Sequence, residues 1–176
     1  MSGIKVRPLT TQDHAQALSI LVDAFETDPS WTRVIRSRRV VRPLLTRYYG
    51  RCLRELIPMS AADGAWDGGR LAGVALWYPP GRRPGGLPGR VAGLLSRRQR
   101  QDRDGWLLEG VAVAAAGRGR GIGSALLRHR LDGCTEPVHL EATTGASARL
   151  YSRFGFTADP DQRGDDVRMT RAPAAG

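Results

Sequence analysis

The chain has 176 residues, of which 41% are hydrophobic, and these values suit one globular domain, residues 1–176, with one core. No apolar run approaches the roughly 20 residues of a transmembrane helix, and no signal-peptide hydrophobic segment follows the first residues, so we expect a cytoplasmic protein. The two cysteines, Cys52 and Cys134, have neither metal-ligand spacing nor a disulfide framework, so we expect no metal site.

The net charge of +10 is concentrated in two segments. Residues 33–54 contain eight arginines and no acid, and residues 79–104 contain seven arginines against two aspartates. Such a field would steer an anionic ligand toward the protein. The same charge is also compatible with nonspecific nucleic-acid binding, or with an ordinary solvent-exposed surface that has no ligand. Specific nucleic-acid binding is not expected, because no nucleic-acid-binding module is recognisable and the aromatic residues are scattered.

The N-terminal part predicts a strand followed by two helices. Ile4–Pro8 predicts the strand, and Thr10 with Asp13 is typical of a helix start. Apolar residues at helical spacing continue to Phe25, and Asp28-Pro29 ends this helix.

A second helix is indicated between residues 43 and 58. Pro43 is expected in its first turn and Pro58 ends it. The apolar stripe of this helix contains Leu45, Tyr48, Tyr49, Cys52, Leu53 and Leu56.

A hairpin and an insertion follow. Met59–Trp66 and Arg70–Tyr78 predict two strands around the turn Asp67-Gly68-Gly69. Residues 79–104 form a basic, Pro/Gly-rich insertion, which we expect to be irregular up to Pro88 and to contain a short helix over residues 89–100. An insertion of this kind beside a site often carries selectivity.

The segment Trp106–Leu127 predicts a strand, a glycine-rich turn and a helix. Trp106–Val113 has the composition of the strand, and an apolar helical spacing begins at Ile122. Glycines at 119, 121 and 123 let a ligand approach the backbone closely. The N–H groups of the following helix start, with Arg118 and Arg120, favour an anion such as a pyrophosphate.

Two familiar phosphate-binding loops are excluded by spacing. The dinucleotide pattern G-x-G-x-x-G fails in either frame, because its last position falls on Ile122 or on Ser124. A P-loop needs a lysine after its second glycine, and the only lysine of the chain is Lys5.

The C-terminal part predicts a strand over Val138–Thr143, a helix that begins at Thr144 or Gly145, a strand after Gly155-Phe156, and a pairing strand over Asp165–Thr170. Residues 171–176 look like a loose tail. Alternating strands and helices indicate an α/β or α+β domain with a mixed sheet.

Two motifs resemble the GCN5-related N-acetyltransferases (the GNAT superfamily). Arg118-x-x-Gly121-x-Gly123 resembles the acyl-CoA loop of the family, and Leu150-Tyr151-x-x-x-Gly155-Phe156 resembles its second hallmark. The resemblance is specific over residues 106–156. It implies a mixed sheet splayed at its middle, helices on both faces, and acetyl-CoA as co-substrate.

The resemblance also implies how the co-substrate is held. Free backbone groups of Val111, Ala112 and Val113 would pair with the pantetheine arm. The residues expected at the pyrophosphate are Arg118, Gly119, Arg120, Gly121, Ile122, Gly123 and Ser124. Thr144 stands where the family usually has asparagine, and Ser147 follows it, so both are candidate cofactor-binding residues. The resemblance further makes Trp77 and Tyr78 candidate acceptor-site residues, with the insertion as a cover over the acceptor cleft.

For catalysis, Tyr151 matches the general acid of the family, since a phenol can return a proton to the CoA thiolate. Its alternative role is core packing. Strand alternation puts Glu109 on the same face as Leu107, Val111 and Val113, where an apolar environment would raise its pKa and suit it as general base. Glu141 or a water chain are the alternatives. His139 is expected to face solvent, or else to join a water relay.

The predicted function is therefore an N-acetyltransferase that moves an acetyl group from acetyl-CoA to a primary amine, of a small molecule rather than a protein, by direct attack in a ternary complex. The alternative is a non-catalytic acyl-CoA-binding sensor or partner protein of the same fold. Oligomeric state stays open, with a homodimer as one option.

Overall fold

The computed structural model of this chain describes residues 3–33, 35, 37–85, 104–160 and 166–173. Within these residues one seven-stranded sheet has the order β1-β2-β3-β4-β5-β7-β6. Its pairs are antiparallel except β4–β5, which are parallel, so the predicted mixed sheet is confirmed. The strands are β1 Lys5–Pro8, β2 Ala62–Asp67, β3 Arg70–Tyr78, β4 Trp106–Val113, β5 Val138–Ala142, β6 Thr157–Ala158 and β7 Val167–Arg171.

The helices of the described residues flank this sheet on both faces. They are α1 His14–Phe25, α2 Pro29–Thr32, α3 Arg38–Leu56, α4 Ile122–Leu131 and α5 Gly145–Ser152. One buried cluster joins α1 and α3 to the sheet, and a second joins α4 and α5 to its other face. No helix within the described ranges is long and apolar enough to cross a membrane. The predicted helix over residues 89–100 lies outside the described residues.

Local signals explain where most of these elements begin and end. The Thr10 backbone N–H donates to the Asp13 carboxylate at 2.8 Å, which forms the expected capping interaction ahead of α1. Gly68 and Gly69 both have positive φ, as a tight two-residue hairpin turn requires. Strand β2 is shorter than predicted, because Met59 belongs to a 3₁₀ turn instead.

One prediction about the helices is wrong, and one residue pair has a second role. Helix α3 begins at Arg38, so Pro43 lies inside the helix rather than in its first turn. Asp28-Pro29 starts a helix as well as following one: the Asp28 carboxylate accepts from the Ser30 backbone N–H at 2.9 Å and caps α2, with Pro29 as its first residue.

Candidate active site

Strands β4 and β5 separate at the middle of the sheet. Their ladder consists of three pairs and ends at Leu108 and Leu140. Beyond it, residues 110–113 of β4 continue to pair with β3 but not with β5. The main chain of Val111, Ala112 and Val113 therefore lies at the opening, where the family resemblance expects free backbone groups.

A β-bulge lies at the same point of β4. Leu76 pairs with Gly110 and Trp77 pairs with Leu108, so Glu109 is the extra residue. The extra residue reverses the alternation of side chains after it. Leu107 and Glu109 face α3, whereas Val111 and Val113 pack on the opposite face of the sheet. The predicted common face of these four residues is wrong for this reason.

A cavity of about 180 Å³ lies at the opening between the two strands. Its walls come from α1, α2 and α3, from β4 and β5, and from α5. Three carboxylates line it, those of Asp28, Glu109 and Glu141. Two guanidinium groups, those of Arg83 and Arg168, line it as well. The cavity thus brings titratable groups from five separate parts of the chain together.

Glu109 is the half-buried carboxylate at the bulge. The hydroxyl of Tyr48 on α3 donates a short hydrogen bond to it. Burial raises the pKa of Glu109 to about 7, against the hydrogen bond from Tyr48, which lowers it, while the charge of Glu141 raises it further. A carboxylate with such a pKa can accept a proton near neutral pH.

Tyr151 lies in α5 and lines the cavity from the opposite side. Its ring is buried and packs at 5.9 Å from the ring of Phe156. Burial raises the pKa of Tyr151 to about 12, with a smaller contribution from the charge of Asp28. The phenol therefore stays protonated throughout the neutral range and is available as a proton donor.

Asp28 is a cavity residue that the sequence analysis missed. It caps α2, accepts a hydrogen bond from the Ser30 hydroxyl at 2.6 Å, and accepts another from the Thr143 hydroxyl at 2.7 Å. It therefore ties the start of α2 to the end of β5 across the cavity. The motif Asp-Pro signalled a turn, and no local pattern indicated this second contact.

The other candidate residues divide between the cavity and the core. Glu141 and His139 line the cavity. His139 is buried, with its ring nitrogens 3.1 Å from the Thr170 hydroxyl and 3.4 Å from the Asp104 carboxylate, so the expectation that it faces solvent is wrong.

Trp77 and Tyr78 are fully buried on opposite faces of the sheet, and neither lines the cavity. They are therefore core residues, and the expected acceptor-site role is wrong.

The glycine loop forms a separate groove beside the start of α4. Gly119 and Gly121 have φ of +75° and +80°, so the backbone itself requires glycine at both positions. The first helical hydrogen bond runs from the Ala125 N–H to the Gly121 carbonyl. The N–H groups of Ile122, Gly123 and Ser124 precede it and are thus available to an anion at this helix start.

Gly123 differs from the other two glycines of the loop. It has no positive φ, and a Cβ built on it would make only ordinary contacts, at 3.7–3.9 Å from side chains of Leu150, Val113 and Val111. Neither its backbone conformation nor crowding by the protein therefore requires glycine here. Gly123 lines the groove, which fits a ligand that approaches the main chain.

The two arginines of the loop point in different directions. Arg118 lines the groove, together with Arg153 from the end of α5, which the sequence analysis did not identify. The Arg120 guanidinium instead pairs with the Asp67 carboxylate at 2.6 Å, at the β2–β3 turn, and Arg120 does not line the groove. The positive charge at the groove therefore comes from Arg118 and Arg153.

Thr144 and Ser147 form a capping box at the start of α5. The Ser147 N–H donates to the Thr144 hydroxyl at 3.1 Å, and the Ser147 hydroxyl donates to the Thr144 carbonyl at 2.8 Å. Both hydroxyls are thus engaged in the helix cap. Ser147 lines both the cavity and the glycine-loop groove, so the two spaces meet at this residue.

Comparisons with known proteins agree with this geometry. Residues 81–158 match a family model described as the acetyltransferase (GNAT) domain. The chain is similar to a solved structure titled histone acetyltransferase HPA2 and related acetyltransferase, from Corynebacterium glutamicum, with 29% identity, a TM-score of 0.72, and coverage of 100% of this chain and 99% of that chain.

Two archaeal structures share the fold at lower identity. PaiA N-acetyltransferase from Thermoplasma acidophilum, in complex with coenzyme A, is 15% identical with a TM-score of 0.68, covering 97% of this chain and 99% of that chain. PH1933 from Pyrococcus horikoshii OT3 is 18% identical with a TM-score of 0.70, covering 98% of this chain and 100% of that chain. No curated protein sequence matches the chain.

Proposed function

We propose that this chain is an acetyltransferase of the GNAT superfamily, which moves an acetyl group from acetyl-CoA to a primary amine of a small molecule by direct attack within a ternary complex. The observation that carries the proposal is the junction at Ser147. On one side of it lies a groove with helix-start N–H groups and two arginines, and on the other lies a cavity with Glu109 and Tyr151.

The groove fits the co-substrate by its chemistry. A pyrophosphate requires N–H donors and positive charge, which the first turn of α4, Arg118 and Arg153 supply. A Cβ built on Gly119 or Gly121 would have nothing within 4 Å, so a phosphate oxygen has room to reach the main chain of the loop. From this groove, residues 111–113 of β4, which do not pair with β5, lead toward the cavity, so a thioester bound along them would point its carbonyl at Glu109 and Tyr151.

In the proposed reaction, Glu109 accepts a proton from the ammonium form of the acceptor. The neutral amine forms a bond to the thioester carbonyl carbon, and the carbon–sulfur bond breaks. Tyr151 donates its phenolic proton to the departing thiolate and is reprotonated by the proton that the new amide nitrogen loses. Tyr48 holds the Glu109 carboxylate in place, and Asp28 adds negative charge that favours the cationic acceptor.

The test is calorimetric titration with acetyl-CoA at physiological ionic strength, followed by amine-dependent release of free thiol. Saturable one-to-one binding, together with amine-dependent thiol release, is the expected result. Binding of acetyl-CoA without thiol release in the presence of any amine would favour the non-catalytic acyl-CoA-binding alternative. Absence of binding would refute the assignment of the groove.

A further inference from the structure

Four aromatic rings form one wall of the cavity, and we call them the aromatic wall: Phe25, Trp31, Tyr48 and Tyr49. They come from three helices, α1, α2 and α3. The Phe25 and Tyr49 rings are stacked at 5.1 Å with 24° between their planes. The Trp31 and Tyr48 rings meet edge to face at 5.5 Å, and so do the Tyr48 and Tyr49 rings at 5.1 Å. These contacts fix the orientation of the four rings relative to one another.

Two acids of the cavity adjoin this wall. Asp28 caps α2 three residues before Trp31, and Glu109 accepts the hydrogen bond from Tyr48. The third acid, Glu141, lies opposite Arg168 in the β5–β7 ladder. Negative charge is therefore available close to the rings, and a cation placed near it also meets the negative faces of the rings.

The size of the cavity limits what can occupy it. Its volume is about 180 Å³. A cavity of roughly 150 Å³ in a protein core holds a single benzene ring. One ring with a short arm therefore fits in the cavity.

We propose that the acceptor is a compact primary amine in which a short arm joins the ammonium group to one planar, apolar ring. The inference rests on the proposed function, since the acceptor is the substrate of the same site. The ring lies against the aromatic wall, where ring pairs gain energy beyond the burial of their area. The ammonium group then lies at Asp28 and Glu109, and Glu109 takes its proton.

A saturated ring of the same size gives the sharpest comparison. 2-Cyclohexylethylamine buries a similar area and carries the same ammonium arm as 2-phenylethylamine, but its ring is neither planar nor aromatic. n-Hexylamine and 1,4-diaminobutane extend the comparison to linear acceptors with one charge and with two. We expect kcat/KM for 2-phenylethylamine to be at least about tenfold that for 2-cyclohexylethylamine, because only the aromatic ring can stack on the wall.

Phe25→Leu tests the wall itself. This variant keeps an apolar side chain beside Gly110, which the Phe25 ring approaches, but removes the ring that stacks on Tyr49. We expect it to reduce the preference for 2-phenylethylamine over 2-cyclohexylethylamine at least about threefold, because one ring of the wall is lost. Phe154→Leu is the matched control, because Phe154 is also partly buried but lines neither the cavity nor the groove. Its preference should equal that of the wild type.

The outcomes separate the acceptor class from the function. Equal or better turnover of 2-cyclohexylethylamine, n-hexylamine or 1,4-diaminobutane by the wild type would overturn the aromatic acceptor while leaving the acetyltransferase intact. A Phe25→Leu variant that lost activity equally toward all four amines would refute the stacking role of the wall. Turnover of none of them by protein that binds acetyl-CoA would overturn the acceptor class, and the proposed function would fail as well only if no other primary amine released thiol.

Discussion

The hydroxyl of Tyr48 on α3 donates a hydrogen bond to the carboxylate of Glu109 at the β4 bulge, across 61 residues of chain. Glu109 lies on the same face of β4 as Leu107, toward α3. The bulge reverses the faces of the side chains that follow, so Val111 and Val113 pack on the other face of the sheet. The contact thus depends on the alternation of side chains up to the bulge and on the position of α3.

The first prediction concerns the pH dependence that this contact sets. Since burial raises the pKa of Glu109 to about 7, kcat/KM of the wild type should rise with pH through about 7. The hydrogen bond from Tyr48 stabilises the ionised carboxylate, so Tyr48→Phe should raise the pKa of Glu109 and move this acid limb to higher pH.

The measurement is kcat/KM from pH 5.5 to 9. Tyr78→Phe is the control, since Tyr78 is a buried tyrosine outside the cavity whose hydroxyl contacts Glu55 at 3.4 Å. An acid limb that stayed in place in Tyr48→Phe would contradict the prediction.

The second prediction distinguishes the candidate bases. Glu109→Gln keeps the shape of the side chain and an acceptor for Tyr48 but cannot take a proton, so kcat should fall about 10²-fold or more, the usual contribution of a general base. Glu141→Gln should lower kcat by less than about tenfold. The reverse order would identify Glu141 as the base, and small effects in both variants would favour a water chain.

The third prediction concerns stability and does not require activity. Because the pKa of Glu109 is raised from 4.5 to about 7 in the folded state, the stability that its protonated form contributes is present below pH 4.5 and is lost as the pH rises through 7. Glutamine cannot ionise and does not lose it. The Tm of Glu109→Gln, relative to wild type, should therefore be higher at pH 8 than at pH 4.5. Thermal unfolding followed by circular dichroism measures both values, and an equal difference at the two pH values would refute the raised pKa.

The fourth prediction concerns Tyr151→Phe. The Tyr151 ring packs against the Phe156 ring, so phenylalanine should preserve this contact and the fold. Loss of the proton donor should lower kcat about 10²-fold while the Kd for acetyl-CoA changes less than about twofold. Steady-state assays of thiol release measure kcat, and calorimetric titration measures the Kd for acetyl-CoA. Unchanged kcat would leave Tyr151 with a packing role only.

The fifth prediction tests the groove through Gly123→Glu. Gly121 is a poorer test position, because its φ of +80° would strain any other residue. At Gly123 the backbone is ordinary, so the variant should fold but weaken acetyl-CoA binding at least about tenfold, by filling the groove and repelling phosphate. Gly133→Glu adds the same charge just beyond the other end of α4, where a Cβ has nothing within 4 Å, and should bind like the wild type. Equal affinities of the two variants would refute the groove assignment.

Much of the fold was predictable because its signals are local. Strand β4 has the predicted bounds of Trp106–Val113, and the Gly68-Gly69 turn lies within the predicted hairpin. Helix α5 begins where Thr144 and Ser147 cap it. Each of these features is decided by residues within a few positions of one another, through side-chain alternation, backbone freedom and helix capping.

The sequence by itself determined the glycine loop, the strand before it and the helix after it, and the presence of Tyr151 in the second motif. Only the tertiary structure decided which residues line the cavity. The contact between Asp28 and Thr143 spans 115 residues, and the bulge at Glu109 depends on its register with β3. Chain-distant contacts of this kind depend on how helices pack on the sheet and on where two strands separate, and no short sequence pattern encodes either.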